Sequence, residues 1–274
     1  MLTSGELVSG GGYPYGIHVI NLTTRQTIRV LTGHTEDVIS IVALPSPGEI
    51  ASSSYDQTVK VWSATSGKLI HTLEGHSSVI FKLAVLPSGQ LASASQDKTV
   101  RIWNIHTGEM VHSLINGQAD GVYSLAVLSN NDLAVGSRDH SIRIWSAENE
   151  QCKKHIKAGH TSWVVSLASL PNGDLASGSY DHTIRIWDLW SGPVATTRRV
   201  LKGHTGEVME LLVLPGGYLA SASFDKTIRI WHLETGQELR TLLGHTGQVR
   251  ALAMLPSGEI LSASADKTIR KWSW

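Results

Sequence analysis

The feature that most constrains the fold of this chain is an internal repeat. Gly-His recurs at residues 33–34, 75–76, 159–160, 203–204 and 244–245, and Gly-Gln stands at 117–118, where a sixth pair belongs. Tryptophan recurs at 62, 103, 145, 187, 231 and 272, and both series advance in steps of 41 to 44 residues. Two independent markers that share one period indicate a repeat architecture, in which each unit is one supersecondary structure stacked on its neighbours.

Each unit is predicted to be four short antiparallel strands. In residues 203–244 the runs EVMELLV, YLASAS, TIRIWHL and QELRTL are separated by the turns LPGG, FDK and ETG. Runs rich in Val, Ile, Leu and Thr between Gly, Pro and Asp turns are typical of strands, and no run shows the sustained period of about 3.6 residues that indicates a helix. Because one such sheet cannot bury both faces alone, we expect the sheets to stack radially with only short edges exposed.

The repeated pattern resembles a known family. Gly-His followed by S-x-S-x-D-x-T-[IV]-[RK]-[IV]-W is similar to the WD-repeat β-propeller family, and the resemblance covers residues 33–274 as six units. It implies an all-β fold of four-stranded antiparallel blades and a single domain over residues 1–274. Residues 1–32 align more weakly as a seventh, degenerate blade, because GIHVINL at 16–22 matches TVRIWNI at 99–105 with Ile20 in place of tryptophan.

We therefore expect a seven-bladed propeller with incomplete first and last blades. A six-bladed ring is the alternative, in which TIRVL at 27–31 completes the last blade by the strand exchange usual in the family and residues 1–26 overhang. Seven blades are favoured because residues 1–26 carry strand patterning that an overhang does not need. The first blade would then lack its inner strand and the last its outer strand, which predicts that the chain is a piece of a longer protein.

Composition argues against several classes of function. The 23 Lys and Arg balance 23 Asp and Glu, so no net field recruits nucleic acid or an anionic membrane. Cys152 is the only cysteine, the N-terminus lacks a basic and apolar secretion signal, and no apolar run approaches the roughly 18 residues of a membrane helix. We expect a soluble, monomeric propeller in the cytoplasm, with the nucleus as the alternative compartment.

A histidine, a serine and an aspartate recur together and raise the question of a serine-hydrolase triad. A catalytic triad is a single constellation, whereas five identical nucleophiles give a fold no advantage, so no catalytic residue is predicted. The family resemblance implies instead a structural hydrogen-bond relay from Trp to Ser to His to Asp, and we take the first of two neighbouring serines as its member. The sets are His34, Ser52, Asp56 and Trp62; His76, Ser93, Asp97 and Trp103; His160, Ser177, Asp181 and Trp187; His204, Ser221, Asp225 and Trp231; His245, Ser262, Asp266 and Trp272; and, in the unit with Gln118, Asp139 and Trp145.

No metal or cofactor site is predicted. Five of the 13 histidines belong to the relay, and the others are scattered without cysteines or carboxylates at ligand spacing. The chain has no G-x-x-x-x-G-K-[ST] phosphate loop. Trp190, Arg198 and Arg199 form a small patch in the segment DLWSGPVATTRRV, which we interpret as a tolerated loop insertion rather than a nucleic-acid site.

Function is expected at the positions where the repeats differ. Aromatic residues stand at the start of the inner strands and just before the turn aspartate, and the resemblance implies that both positions surround the mouth of the central channel, the family's common partner-binding surface. Exposed aromatics mixed with Met and Arg are typical of protein-binding hot spots. The predicted partner-binding residues are Ile39, Tyr55, Phe81, Tyr123, Arg138, Trp163, Tyr180, Met209, Phe224 and Arg250.

The leading hypothesis is a non-catalytic scaffold that binds a protein or peptide partner on that face, within a larger multidomain protein or complex. A purely structural propeller that spaces other domains is one alternative, and its mouth aromatics would bind nothing. An enzyme with a channel-mouth site is another. Its candidates, Asp37 or Glu207 near Arg250, are isolated acids without a partnered base.

Overall fold

The chain folds into strands joined by turns. The computed structural model describes residues 5–114, 120–157 and 159–274, and no helix occurs among them. Its 26 strands form seven antiparallel sheets, five of four strands and two of three. The all-β prediction is confirmed, and so is the prediction of seven blades: the fold is a seven-bladed β-propeller.

The chain divides into two compact units, and the first comprises Met1–Leu125 with Ala147–Glu150. Neighbouring strands follow chain order in each of its sheets. The first sheet is β1 (Glu6–Ser9), β2 (Ile17–Asn21) and β3 (Thr27–Leu31); the second is β4 (Val38–Ala43), β5 (Glu49–Ser54), β6 (Val59–Ser63) and β7 (Leu69–Leu73); the third is β8 (Ile80–Val85), β9 (Leu91–Ser95), β10 (Val100–Trp103) and β11 (Met110–Leu114).

The second unit comprises Ala126–Ser146 with Gln151–Trp274 and holds the remaining sheets apart from residues 122–125, again in chain order. The fourth sheet is β12 (Val122–Val127), β13 (Leu133–Ser137), β14 (Ile142–Trp145) and β15 (Cys152–Ile156); the fifth is β16 (Val164–Ser169), β17 (Leu175–Ser179), β18 (Ile184–Asp188) and β19 (Thr196–Leu201); the sixth is β20 (Val208–Leu214), β21 (Tyr218–Ser223), β22 (Ile228–His232) and β23 (Glu238–Leu242); the seventh is β24 (Val249–Met254), β25 (Ile260–Ser264) and β26 (Ile269–Trp272).

The strand registers identify which strand each three-stranded sheet lacks. β2 and β3 shift register between Val19 and Ile20, just as β6 and β7 do between Val61 and Trp62. The first sheet therefore holds the second, third and fourth strands of a blade, and Ile20 takes the tryptophan position. β24 and β25 show the irregularity of a first and second strand, so the seventh sheet lacks a fourth strand.

The six-bladed alternative is wrong. It required the segment at 27–31 to complete the last blade, but this segment pairs with β2 in the first sheet. The short connection between β2 and β3 explains the pairing, because closing a hairpin of a few residues costs little entropy. Asn21 closes this turn by accepting hydrogen bonds from the amides of Thr23 and Thr24, both at 2.9 Å.

The hydrophobic core lies between consecutive sheets. In the first unit Ile17, Val38 and Trp62 share one cluster, and Trp103 belongs to the next. In the second unit Trp187 joins the fourth sheet to the fifth, and Trp231 joins the fifth to the sixth. Each of these tryptophans is almost fully buried, which stabilises the fold by about 3 kcal/mol per ring.

Candidate functional site

The repeated His, Ser, Asp and Trp side chains meet in one hydrogen-bonded chain. In the sixth sheet Trp231 Nε1 donates to Ser221 Oγ at 2.8 Å, Ser221 Oγ lies 2.7 Å from His204 Nε2, and His204 Nδ1 lies 2.7 Å from Asp225. Four further sheets repeat this relay with distances of 2.6 to 2.8 Å. Their members are His34, Ser52, Asp56 and Trp62; His76, Ser93, Asp97 and Trp103; His160, Ser177, Asp181 and Trp187; and His245, Ser262, Asp266 and Trp272.

The aspartate determines which way the protons point in the relay. Burial raises the pKa of Asp225, but hydrogen bonds from His204 and Thr227 outweigh it and hold the pKa well below its ordinary value. The ionised carboxylate only accepts, so His204 Nδ1–H donates to it and Nε2 accepts from Ser221. The Thr205 and Thr227 amides also donate to the same carboxylate, at 3.1 and 2.9 Å. The relay therefore ties the Gly-His loop to the turn before β22 and to β22 itself.

The relay serines are enclosed within the protein. Ser52, Ser93, Ser177 and Ser221 have no exposed surface, and Ser262 has 1%. Each hydroxyl already contacts an indole N–H and an imidazole nitrogen, as the distances above show. A nucleophile must reach a substrate carbonyl, and these oxygens have neither the access nor a free lone pair aimed at solvent.

The second serine of each pair has a different task. Ser223 Oγ accepts from the Asp225 amide at 3.0 Å, and Ser95 Oγ accepts from the Asp97 amide at 3.1 Å. Ser95 also donates to the carbonyl of Ser78 at 3.1 Å. These contacts shape the turn that presents the aspartate, so each serine of the pair supports the relay from a different side.

The fourth sheet departs from the relay. Val135 occupies the register position of the first serine, opposite Arg143, and Trp145 Nε1 finds no hydrogen-bond partner among the described residues. Arg143 instead pairs with Asp139 at 2.9 Å and donates to Ser141 at 2.8 Å. Asp139 and Trp145 are thus not joined by a relay, and Gln118 lies outside the described residues.

Arg143 takes the place of the relay histidine as the partner of the turn aspartate, and the sequence pattern did not reveal this. Arg143 is 3% exposed. Burial raises the pKa of Asp139, while hydrogen bonds from Ser141 and Arg143 lower it to about 2. Arginine or lysine stands at the same place in each of the six repeats, so the residue type at position 143 does not indicate that it pairs with the aspartate. Two sequence signals mark the broken relay: Gln118 stands at the histidine position, and Val135 stands at the position of the first serine.

The predicted partner-binding aromatics form rows of contacting rings. In the first unit Phe81 stacks on Tyr123 with centroids 4.2 Å apart, and Tyr55 meets Phe81 edge-on at 6.4 Å. The rings therefore support one another along the edges of successive sheets rather than standing alone.

The row in the second unit has an arginine at each end. Arg138 lies over Trp163, 4.6 Å from its centroid, and Trp163 stacks on Tyr180 at 4.9 Å. Tyr180 contacts Phe224 at 6.2 Å, and Arg250 lies over Phe224 at 5.7 Å. We call this set of five side chains the ring row.

Backbone pairing explains why two separate sequence positions meet. The residue before each turn aspartate donates its amide to the residue before the first strand, as in Tyr180 to the carbonyl of Trp163 and Phe224 to that of Glu207, both at 3.0 Å. The second residue of the first strand is bulged out of the ladder. Ile39, Phe81, Met209 and Arg250 occupy this bulge in their sheets. Trp163 lies two positions before its bulge and reaches the same edge through the carbonyl contact.

Exposure differs among the ten predicted residues. Ile39 and Tyr55 are 38% and 44% exposed, and Arg250 is also exposed. The remaining seven are partly buried, so they present ring edges or stems rather than whole side chains: Phe81, Tyr123, Arg138, Trp163, Tyr180, Met209 and Phe224. Neither Asp37 nor Glu207 has a side-chain hydrogen bond or ion pair with another described residue.

The described residues hold no group of three or more His, Cys, Asp or Glu side chains that could bind a metal ion. A search of the same residues finds no helix with the length and apolar character to cross a membrane. The one cysteine, Cys152, is exposed.

A family model agrees with the repeat and its geometry. The model, described as WD domain, G-beta repeat, matches residues 25–63, 67–104, 108–146, 150–188, 195–232 and 236–273. Each match begins near the fourth strand of one sheet and ends with the third strand of the next, so the sequence repeat is offset from the sheet by one strand.

Segments of the chain are also similar to curated proteins. Coronin-7 of Homo sapiens is 47% identical over 70 residues, and the WD repeat-containing protein pop1 of Schizosaccharomyces pombe is 40% identical over 63 residues. Pre-mRNA-processing factor 19 of Mus musculus is 30% identical over 79 residues. These segments cover 25%, 23% and 29% of this chain and 7%, 8% and 16% of those proteins, so the chain matches only a small part of each relative's length.

Proposed function

The chain belongs to the WD-repeat family, whose model matches most of its length, and we propose that it is a non-catalytic scaffold which binds a protein or peptide partner. The binding site is the sheet edge that carries the aromatic rows. The observation that carries this proposal is the ring row, in which three aromatic side chains lie in contact between two arginines.

The ring row suits a protein partner because it is preorganised. Trp163 is contacted by Arg138 and Tyr180, and Phe224 by Tyr180 and Arg250, so these side chains have little freedom left to lose. Immobilising a free side chain costs about 0.5–1.5 kcal/mol on binding. Trp, Tyr and Arg dominate the binding energy of protein interfaces, and this row concentrates all three.

The same contacts argue against a nucleic-acid partner. Single-stranded nucleic acids stack their bases on open aromatic faces. The face of Trp163 is shared between Arg138 and Tyr180, and Phe81 is stacked on Tyr123, so these faces are occupied within the protein. The balance of 23 basic and 23 acidic residues supplies no net attraction for phosphates.

The proposal extends to the setting of the protein. It acts in a larger multidomain protein or complex, and residues 1–274 form a single, monomeric domain with a partial blade at 1–32 and six repeats at 33–274. The cytoplasm is the compartment proposed, with the nucleus as the alternative.

Affinity capture from host-cell lysate tests the binding site. The baits are the wild type and the triple variant Trp163→Ala/Tyr180→Ala/Phe224→Ala, with quantitative mass spectrometry of retained proteins. Trp190→Ala is the matched control, because Trp190 is 45% exposed and follows the third strand of the fifth sheet, at the edge opposite Tyr180. We expect the wild type and the control to retain one defined partner and the triple variant to lose it.

Other outcomes contradict the proposal in distinct ways. If the triple variant, shown by its melting curve to be folded, retains the same partner, the ring row is not the site and a structural spacer is favoured. If the triple variant unfolds, Arg250→Ala alone must weaken capture. Turnover of a hydrolase substrate panel that Glu207→Gln abolishes would favour the enzyme alternative instead.

A further inference from the structure

A basic side chain in the fourth strand of several sheets reaches the next sheet. Arg29 Nη1 donates to the carbonyl of Ala64 at 2.7 Å, and His71 Nε2 lies 3.0 Å from the carbonyl of His106. Lys154 donates to two carbonyls in the turn between β18 and β19. All three occupy one register position, opposite the residue immediately before the tryptophan position in β2, β6 and β14.

Arg199 occupies this register position in the fifth sheet but has no such acceptor. It pairs with Ile186, as Lys154 pairs with Ile144. Its stem packs on the turn between β22 and β23, where a side chain at Gly236 would lie 3.2 Å from its Cδ. Its guanidinium has neither a hydrogen bond nor an ion pair among the described residues, and it is exposed.

The neighbouring arginine is fully engaged, which distinguishes the two. Arg198 pairs with Asp174 at 2.9 Å and with Asp188 at 2.8 Å. The Trp190 and Ser191 amides also donate to Asp188, at 3.0 and 2.9 Å. Asp174 and Asp188 are therefore satisfied without Arg199.

Arg199 lines a cavity of about 760 Å³ between the fifth and sixth sheets, within the second unit. The volume falls in the range of ligand pockets, about 300–1,000 Å³. The cavity opens at the sheet edge opposite the ring row, because it is bounded by the first-to-second-strand turns. Its apolar walls are Leu170, Pro171, Ile186, Leu214, Pro215 and Leu233.

We propose that this cavity is a second docking site, which binds an extended segment of a partner protein with one carboxylate next to an aliphatic side chain. The aliphatic side chain fills the space between Leu170, Leu214 and Leu233, and the carboxylate pairs with Arg199. Charge complementarity defines the occupant, since Arg199 is a cation without a partner beside apolar walls. Glu234, an exposed acid on the sixth-sheet side, disfavours a run of acids.

Selection from a phage library of random dodecapeptides tests the site directly. The wild type is the target, and enriched peptides are resynthesised and measured by fluorescence polarisation. We expect sequences with one Asp or Glu beside Leu, Ile or Val, and binding to Arg199→Ala about tenfold or more weaker. Arg240→Ala is the matched control, because Arg240 holds the same register position in the sixth sheet, opposite Ile230, and should bind as the wild type does.

A charge swap and the ring-row variant separate this site from the proposed function. Arg199→Glu should recover affinity for a peptide whose acid is replaced by Lys. The triple variant Trp163→Ala/Tyr180→Ala/Phe224→Ala should bind the peptide as the wild type does, even if the ring-row proposal fails. The inference is overturned if no peptide is enriched, if the enriched peptides lack an acid, or if Arg199→Ala and Arg240→Ala bind equally.

Discussion

Removal of a single oxygen atom tests the structural role of the relay. Ser221→Ala deletes the hydroxyl that contacts both Trp231 Nε1 and His204 Nε2, at 2.8 and 2.7 Å. Alanine fits the site without a clash, so the change leaves two buried polar groups without partners. Each such group costs about 1–3 kcal/mol, so we expect the free energy of unfolding to fall by about 2–6 kcal/mol.

The expected change in melting temperature follows from chain length. At roughly 2.1 cal/mol/K per residue, the unfolding entropy of 274 residues is about 0.58 kcal/mol/K. A loss of about 3 kcal/mol then lowers Tm by about 5 °C if the chain unfolds as one unit. Thermal and guanidinium unfolding, followed by tryptophan fluorescence, measure both quantities.

The control is Ser88→Ala, because Ser88 is exposed in a turn and bonds only to Gln90. Its effect should stay within about 0.5 kcal/mol. A double-mutant cycle with Trp231→Phe isolates the indole contact, since phenylalanine has no N–H to leave unpaired. The reasoning is refuted if Ser221→Ala costs no more than Ser88→Ala, or if the cycle shows no coupling.

Three further predictions concern the relay and the chain as a whole. Because the pKa of Asp225 is lower in the folded protein than its unfolded value of 3.8, its ionised carboxylate stabilises the fold at pH values above 3.8, and this stabilisation is lost as the pH falls below 3.8. Asp225→Asn should therefore be less stable than the wild type at pH 6 and should lose less stability than the wild type between pH 4 and 2. Wild type and variant losing stability equally over that range would contradict this. Val135→Ser should be more stable than Val135→Ala by about 1 kcal/mol in urea unfolding, because only serine offers Trp145 Nε1 an acceptor; equal stability rejects it. Calorimetry of the whole chain should show one transition of about 190 kcal/mol, and two resolved transitions would refute the single domain.

Strand order and blade number could be predicted because they depend on local sequence patterns. The turns LPGG, FDK and ETG bound every strand of residues 203–244, and β20 to β23 form between them. The pairing of β2 with β3 also follows from short-range chain closure, which favours seven blades over six. Such features depend on neighbours a few residues apart, and a single sequence displays them.

Side-chain partners were predictable only where the same residue types recur together in successive repeats. Four positions that recur in five units indicate a shared structure, and the structure brings those four into contact at 2.6 to 2.8 Å. The fourth sheet shows the limit of this argument. Arg143 looks like every other basic residue before the tryptophan, and only its buried contact with Asp139 distinguishes it.

The sequence by itself determined the period, the strands and the turns, and the family resemblance implied the edge at which the variable aromatics gather. Only the tertiary structure decided that Arg138, Trp163, Tyr180, Phe224 and Arg250 form one row, and that Arg199 faces a cavity without a partner. The physical reason is distance along the chain. All but one of the contacts in the row join side chains of different sheets, 25 to 44 residues apart in the chain, and they depend on ångström-scale separations between sheets that no residue pattern encodes.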